Sequence, residues 1–238
     1  MHRIDIKLQT LLQQIDFRSI DITQKQIELI QEVSNSQPEG LNALVDILYE
    51  HRKDSLVFPL DGVIYEKLIH VPNPEIQEFL RVNFSLGIVP LKSEKNIDYT
   101  QLQQLLLKKN FLQADILTQQ KLCELASINA QTRSWLYFTD ILNLPTQDLQ
   151  TIDNLWRIHS HNRFGFSIQK QIWNTVNKNR EKLFHRIQWI VNKDLCRYPQ
   201  EFTWDLSAPP GHLPLFNQLR GTQVLTFLLS HKAWQTLE

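Results

Sequence analysis

Hydrophobic residues recur along most of this chain at the spacing that places them on one face of an α-helix. Several of these stripes follow residues that favour a helix start, namely Thr23 as an N-cap and Pro38, Pro59 and Pro74 at or just before a first helical position. The apolar positions behind those starts are Ile27, Ile30 and Val33; Leu41, Leu44, Val45 and Leu48; Leu60, Val63, Ile64 and Leu68; and Ile76, Phe79 and Leu80. The pattern predicts short helices joined by tight connections.

Short, closely connected helices stack as antiparallel pairs, so residues 1–90 are predicted to form a small helical-repeat domain of the armadillo or HEAT type. No residue-level repeat accompanies the pattern, and a plain helical bundle is the alternative. Residues 91–96 follow Gly87 and Pro90, are polar and lack periodicity, which predicts a linker.

A second set of apolar stripes predicts another helical domain over residues 97–238, and the predicted fold class is therefore all-α. Ser167 is placed to N-cap one of its helices, and the last helix is predicted over residues 224–234. The periodicity fails over residues 192–214, which are rich in proline. A loop of that length is usually functional, so we expect this segment to move without a ligand and to become ordered when one binds.

Composition restricts the function classes without choosing one. Of the 238 residues 42% are hydrophobic, and the 25 basic residues equal the 25 acidic ones, so neither disorder nor a nucleic-acid partner is expected. Cys123 and Cys196 are too few for a disulfide framework or a zinc cluster, which indicates a reducing compartment. No signal-like or membrane-spanning apolar run is visible, so the protein is expected to act in the compartment where it is made.

Sequence signatures of catalysis are missing: there is no glycine-rich nucleotide loop, no H-E-x-x-H and no C-x-x-C. His159 and His161 form an H-x-H pair, but on a helix the two rings would point to different faces, and no further ligand stands at useful spacing. We therefore expect no metal site and no catalytic residue.

Aromatic residues in the second half fall into two groups. Phe164, Phe166, Trp156, Trp173 and Trp189 lie on or beside apolar stripes and are predicted to be core. Tyr198, Phe202 and Trp204 instead lie in the irregular segment and are followed by Arg220. Aromatic faces with a nearby cation suit a porphyrin and its propionates, whereas rings that merely pin the loop to the helices are the alternative. Spacing alone leaves both open.

Five stretches of the second domain are distinctive as sequence. They are Leu-Cys-Glu-Leu-Ala at 122–126, Trp-Leu-Tyr-Phe-Thr at 135–139, Ile-Asp-Asn-Leu-Trp at 152–156, Phe-Gly-Phe-Ser-Ile-Gln at 164–169, and the stretch from Phe202 to Leu219-Arg220-Gly221. In these stretches the chain, over about residues 97–238, resembles the Genomes-Uncoupled family of tetrapyrrole-binding regulators of magnesium chelatase, in its cyanobacterial and red-lineage plastid branch.

The resemblance implies a non-enzymatic protein that binds protoporphyrin IX and magnesium protoporphyrin IX in an open helical cleft flanked by flexible loops, with no cofactor of its own. It also implies stimulation of magnesium chelatase, through the large subunit, in chlorophyll synthesis. Carried over by position, Arg220 is the main propionate-side arginine. The other expected porphyrin-binding residues are Phe138, Ile141, Tyr198, Phe202, Trp204, Leu213 and Asn217.

Three departures from relatives bear on affinity. Gln119 and Gln223 stand where relatives can carry basic residues, and Tyr198 where they can carry a tryptophan. These changes keep the apolar lining of the expected cleft and remove positive charges from its edge, so weaker porphyrin binding is expected.

Two other functions stay open. One is a helical adaptor whose N-terminal domain binds a protein and whose cleft is vestigial, and the other, ranked lower, is an enzyme acting on tetrapyrroles. We further expect a monomer, leave peripheral association with a membrane open, and expect a plastid-encoded protein of the stroma, with a cyanobacterial cytoplasm as the alternative.

Overall fold

The computed structural model describes residues 6–128, 133–215 and 222–237. The chain divides into two compact units, Met1–Pro90 and Leu91–Glu238. The helices of the first unit are α1 (Ile6–Gln13), α2 (Gln24–Asn35), α3 (Glu39–Lys53), α4 (Pro59–Leu68) and α5 (Pro74–Asn83).

Helix starts in the first unit follow the sequence signals. The Thr23 side chain accepts from the main-chain N–H of Gln26, and the Gln26 side chain accepts from Thr23 N at 2.8 Å, forming a capping box at α2. Pro59 and Pro74 are the first residues of α4 and α5, and Pro38 immediately precedes α3. The predicted starts are confirmed. Thr23 accepts a first-turn N–H with its side chain, and each proline lacks the main-chain N–H that would have no partner at the start of a helix.

The second unit is also mainly helical, which confirms the all-α prediction. It contains α6 (Thr100–Leu107), α7 (Phe111–Leu125), α8 (Phe138–Ile141), α9 (Thr146–His159), α10 (Phe166–Thr175), α11 (Arg180–Arg186), α12 (Thr222–Leu229) and a 3₁₀ helix (Lys232–Leu237). The last predicted helix is thus an α-helix that ends early and a separate 3₁₀ turn. Among the described helices, none is long and apolar enough to cross a membrane.

Sequence patterning did not predict a short antiparallel hairpin, β1 (Ile190–Val191) and β2 (Asp194–Leu195), where the irregular segment begins. Its turn residues Asn192 and Lys193 both have positive φ, 52° and 74°, the geometry of a tight hairpin turn. Two-residue strands are too short to show an alternation of apolar and polar residues. Asn192, a residue type that tolerates positive φ, was the available sign of a turn in the sequence.

Large aromatic side chains fill the core of the second unit. Trp156, Phe164, Phe166 and Trp189 are fully buried, and Trp173 nearly so, which confirms that prediction. The Trp156 indole donates to Thr118 Oγ1 at 3.0 Å, so the one polar atom of the ring is satisfied inside the core.

The start of α10 differs from the prediction, because Gly165 and not Ser167 is the N-cap. Ser167 lies inside the first turn, and its main-chain N–H donates to the Asp153 carboxylate of α9 at 2.8 Å. A carboxylate from another helix therefore takes the role expected of the serine hydroxyl. The sequence gives no signal for a cap that arrives from elsewhere in the chain.

Gly165 has a φ of 144°, and a Cβ there would lie 2.8 Å from Asp153 Oδ1 and 3.0 Å from Arg157 Cγ. Gly165→Ala is expected to destabilise the protein by about 2–3 kcal/mol, because backbone strain adds to displacement of the cap. Urea unfolding monitored by circular dichroism measures the loss. A change below about 0.5 kcal/mol would contradict this account of the α10 start.

Residues 91–96, the predicted linker, belong to the second unit. The Ser93 hydroxyl and Glu94 N–H both donate to the buried Asp148 carboxylate, and the Lys95 ammonium donates to Leu125 O at 2.7 Å. These residues are polar because they satisfy a buried carboxylate and helix ends, and not because they span a gap.

Candidate functional site

The exposed face of α12 borders an open groove. Its apolar residues Val224, Leu225, Leu228 and Leu229 are buried, whereas Gln223 and Thr226 face solvent and Phe227 is half-buried. Gln223, Thr226 and Phe227, together with Phe138 of α8, line a groove of about 370 Å³. That volume lies within the usual range of small-molecule sites, roughly 300–1,000 Å³.

Two phenylalanine rings form the apolar wall of this groove. The Phe138 and Phe227 centroids lie 5.0 Å apart with the ring planes tilted by 33°. Phe138 is 40% exposed, although phenylalanine is usually buried. Partly exposed, mutually packed rings offer a flat apolar ligand a surface on which to stack.

Arg133 and Asp140 fix the start of α8. The guanidinium donates to both carboxylate oxygens, at 2.7 and 3.0 Å, and lies 4.6 Å from the centre of the Tyr137 ring. The carboxylate also accepts from Tyr137 N at 2.7 Å, capping the helix. The bond from Arg133 lowers the pKa of Asp140, so this pair stays ionised near neutral pH. Phe138 follows directly, and the pair therefore positions it.

Gln119 ties the segment before α8 to α7. Its side-chain amide donates to Ser134 O at 3.4 Å and lies 3.7 Å from Cys123 Sγ. A long contact of this kind holds the segment loosely and carries no charge.

Tyr198, Phe202, Trp204 and His212 form an aromatic cluster in the second unit. Phe202 lies at its centre, 6.4 Å from Tyr198, 6.1 Å from Trp204 and 5.5 Å from His212 between ring centroids. Phe202 is 6% exposed, and the Trp204 indole donates to Pro199 O at 2.9 Å. The rings therefore pack on one another. Tyr198, at 37%, has a larger exposed fraction than Phe202 or Trp204.

Residues 211–215 are fixed to the core by main-chain hydrogen bonds. Gly211 N donates to Arg163 O at 2.8 Å, and Gly165 N donates to Leu213 O at 3.0 Å. The Gln169 amide donates to Gly211 O and Pro214 O at 3.0 and 2.8 Å. These bonds hold the C-terminal end of the segment predicted to be mobile against the core, and its ordering on ligand binding stays a prediction.

Two family profiles match the chain. The GUN4-like profile matches residues 92–232, and the ARM-like repeat domain found N-terminal to it matches residues 5–85. The chain belongs to the GUN4-like family. It is 49% identical over 216 residues to the ycf53 protein of Pyropia yezoensis, covering 89% of this chain and 90% of that one.

Two further relatives carry more specific names. The chain is 39% identical over 146 residues to the chloroplastic tetrapyrrole-binding protein of Arabidopsis thaliana, covering 58% of this chain and 55% of that one. The structure of GUN4 from Chlamydomonas reinhardtii superposes with a TM-score of 0.58 at 40% identity, over 62% of this chain and 94% of that one. The ARM-like and GUN4-like parts together match the helical-repeat and second-domain architecture predicted from sequence.

Within this GUN4-like chain, Ile141 and Leu213 are fully buried and reach no groove surface. In this structure Ile141 anchors α8 and Leu213 anchors the 211–215 segment, and contact of either residue with a ligand stays a prediction. Apolar residues on a short helix or beside prolines do not reveal from sequence which way they point. Arg220 and Asn217 lie outside the described residues.

Sequence reasoning missed Phe227 and Arg133 as members of the site. Phe227 stands four residues after Gln223 on the last apolar stripe, and that i, i+4 relation was the available signal. The sequence gave no comparable signal for Arg133, because its partner Asp140 is seven residues away and the two do not share one helix. His159, one of the two histidines considered for metal binding, is buried, and within the described parts of the chain no three His, Cys, Asp or Glu side chains cluster.

Proposed function

We propose that this GUN4-like protein binds protoporphyrin IX and magnesium protoporphyrin IX in the groove between α8 and α12. Family membership, together with similarity to the tetrapyrrole-binding protein of Arabidopsis, supports a tetrapyrrole as the ligand class. The observation that carries the proposal is the Phe138–Phe227 pair, two mutually packed rings at 5.0 Å that line an open groove.

Porphyrin chemistry fits this surface. The macrocycle is flat and apolar, so burying one face against phenylalanine rings removes hydrocarbon from water at about 25 cal/mol per Å². Its propionates are anionic near neutral pH and favour a cation close to solvent. By resemblance Arg220 supplies that cation, while Gln223 on the groove wall is neutral. We therefore infer that one arginine carries most of the electrostatic attraction.

We further infer that the protein acts without catalysis of its own, as a monomer that delivers or presents porphyrin to the large subunit of magnesium chelatase and stimulates magnesium insertion. The relative from Pyropia supports a plastid-encoded protein, and the stroma is the compartment we propose. Peripheral association with a membrane would accompany this role.

A chelatase assay with purified subunits tests that role. Magnesium insertion is measured alone, with the wild-type protein, and with the Phe138→Ala/Phe227→Ala variant. We expect the wild type to raise the rate and the variant to raise it much less. Equal stimulation by both proteins would separate the regulatory role from the groove, and no stimulation by the wild type would refute the role.

The second unit should carry ligand binding by itself. A fragment of residues 91–238 is expected to fold and to bind deuteroporphyrin IX within about twofold of the full chain, because Ser93 and Glu94 complete its own Asp148 site. A fragment that starts at residue 97 lacks those donors and should melt at lower temperature. Loss of binding in the longer fragment would show that the ARM-like unit contributes to the site.

A further inference from the structure

Basic side chains are concentrated between the end of α10 and the residues that follow the hairpin. The whole chain has 25 basic and 25 acidic residues, but residues 178–197 contain six basic residues and only two acidic ones, Glu181 and Asp194. All six basic side chains are exposed, and together we call them the basic surface: Lys178, Arg180, Lys182, Arg186, Lys193 and Arg197. A chain without net charge thus has a local excess of positive charge in its second unit.

Contacts in the core join α11 to the hairpin, so the basic surface is continuous. Helix α11 buries Phe184, whose ring lies 5.2 Å from that of Trp189 between centroids. Trp189 N donates to Phe184 O at 2.8 Å, and Trp189 O accepts from Cys196 N at 3.0 Å. Both ends of the hairpin are therefore fastened to the end of α11. The exposed cations of the helix and those of the hairpin region are neighbours for this reason.

The cations of the basic surface are not neutralised by carboxylates. Among the residues that the structure describes, none of the six forms an ion pair. Elsewhere in the same unit, by contrast, Lys121 pairs with Glu124 at 2.9 Å and Arg133 with Asp140 at 2.7 Å. Unpaired like charges on one surface create a positive potential that attracts an anionic partner.

Two aliphatic side chains of the hairpin are exposed beside these cations. Val191 and Leu195 are each 48% exposed, although valine and leucine are mostly buried in proteins. They flank the tight turn at Asn192 and Lys193, which ends the hairpin. Exposed aliphatic residues next to Lys and Arg are typical of segments that lie in the headgroup layer of a membrane, where the cations meet anionic lipids and the aliphatic groups reach the acyl chains.

The hairpin separates a lipid surface from other anionic partners. Nucleic-acid binding combines cations with aromatic or hydrogen-bonding contacts to bases, and exposed valine and leucine side chains gain nothing against a sugar-phosphate backbone. An acidic protein would need a concave apolar pocket to cover the turn, whereas a lipid layer adapts to a convex one. The observations therefore favour an anionic lipid surface.

We propose that the basic surface, together with Val191 and Leu195, docks the protein on membranes that contain anionic lipids. The proposal names the contact surface for the peripheral association put forward above, and it rests on that part of the proposed function alone. The cations supply an attraction that orients the otherwise neutral chain and fades within a Debye length. The two aliphatic side chains supply a short-range contact that salt does not screen.

Sedimentation of the intact protein with lipid vesicles, in the absence of porphyrin, tests the proposal. One probe is a vesicle of phosphatidylcholine alone, and in the other about one third of the lipid is anionic phosphatidylglycerol. We expect a partition coefficient roughly tenfold or more higher for the anionic vesicles at about 0.05 M salt. This preference should shrink severalfold at about 0.3 M salt, because the Debye length shortens.

Arg180→Gln/Lys182→Gln/Arg186→Gln removes three charges from the exposed face of α11. Each basic residue near an anionic surface contributes roughly fivefold, so partition into the anionic vesicles should fall by roughly tenfold to a hundredfold. The three side chains are exposed, and the melting curve should change little. If this variant melts below the assay temperature, the wild-type comparison of the two vesicle types decides the matter.

Lys92→Gln/Lys108→Gln/Lys232→Gln is the matched control. It removes the same charge from exposed positions of the same unit, none of which belongs to α11 or to the hairpin. Its partition into the anionic vesicles should stay within about twofold of wild type, because its charges are not part of the docking surface.

Val191→Thr/Leu195→Thr tests the aliphatic part of the surface. Threonine suits a strand but adds a hydroxyl, so partition should fall by roughly threefold to tenfold while the salt dependence stays as in the wild type. A duplex DNA oligonucleotide and poly-glutamate serve as competitors at equal charge. Neither should release the protein from the anionic vesicles as effectively as added phosphatidylglycerol vesicles do.

Equal partition of the wild type into both vesicle types, or equal loss in the α11 variant and its control, would overturn the proposal. Release by DNA or by poly-glutamate, with wild-type partition in Val191→Thr/Leu195→Thr, would assign the basic surface to that other class of partner and also overturn it. Since the assay contains no porphyrin, each of these results leaves the tetrapyrrole site between α8 and α12 untouched. Failure of porphyrin binding likewise leaves the vesicle result untouched.

Discussion

Alanine at both Phe138 and Phe227 is expected to weaken deuteroporphyrin IX binding by roughly thirtyfold to a hundredfold, or about 2–3 kcal/mol. The two rings line the groove and pack on each other, with centroids 5.0 Å apart. Each single variant keeps one of the two rings, so it should lose less affinity than the double variant. Because Phe138 is 40% exposed, its loss should cost little folding stability. Titration by tryptophan quenching measures Kd for wild type, both single variants and the double variant.

Leu142→Ala is the control for that series. Leu142 follows α8 and is an exposed apolar residue, but it does not line the groove. It should bind porphyrin within about twofold of wild type. If the double variant also keeps wild-type affinity while its melting curve is unchanged, the groove is not the porphyrin site.

Arg220→Ala is expected to weaken binding by roughly tenfold or more, since a hydrogen bond to a charged group contributes about 1.5–3 kcal/mol. This expectation comes from the family resemblance, which assigns Arg220 to the propionates. Gln223→Arg should act in the opposite direction, because Gln223 lies on the groove wall and an arginine there adds a cation. Kd values for both variants, measured at two ionic strengths, test the electrostatic origin.

A structural role for Arg220 would give a different result. If the arginine caps the preceding loop, Arg220→Ala will lower the melting temperature more than the affinity. Arg220→Lys keeps a charge without the planar fork and should recover part of the binding. Unchanged affinity in Arg220→Ala with full ionic-strength dependence would remove this residue from the site.

Local signals in the sequence predicted the helix starts and the core. Thr23, Pro59 and Pro74 mark helix starts through interactions within one helical turn. The apolar stripe that contains Trp156 correctly predicts that this residue is buried. The family resemblance added the second domain's ligand class and Phe138, which the structure places on a groove wall.

Contacts between distant residues were not predictable in this way. The α10 cap comes from Asp153, the supposed linker satisfies Asp148, and Asp115 finds its donor at Leu215. Each is a buried carboxylate on a helix whose partner lies far along the chain or in an aperiodic stretch. A polar residue on an apolar stripe indicates that such a partner exists, but the stripe does not identify it.

Titration of the wild-type protein with deuteroporphyrin IX tests the central claim most directly. Trp204 is half-buried in the aromatic cluster near Tyr198, so its emission reports a porphyrin bound in this unit. We predict saturable quenching with one porphyrin per chain, shifted to much higher porphyrin concentration in Phe138→Ala/Phe227→Ala and unchanged in Leu142→Ala. Quenching that rises linearly without saturation, or equally in all three proteins, would contradict a tetrapyrrole site between α8 and α12.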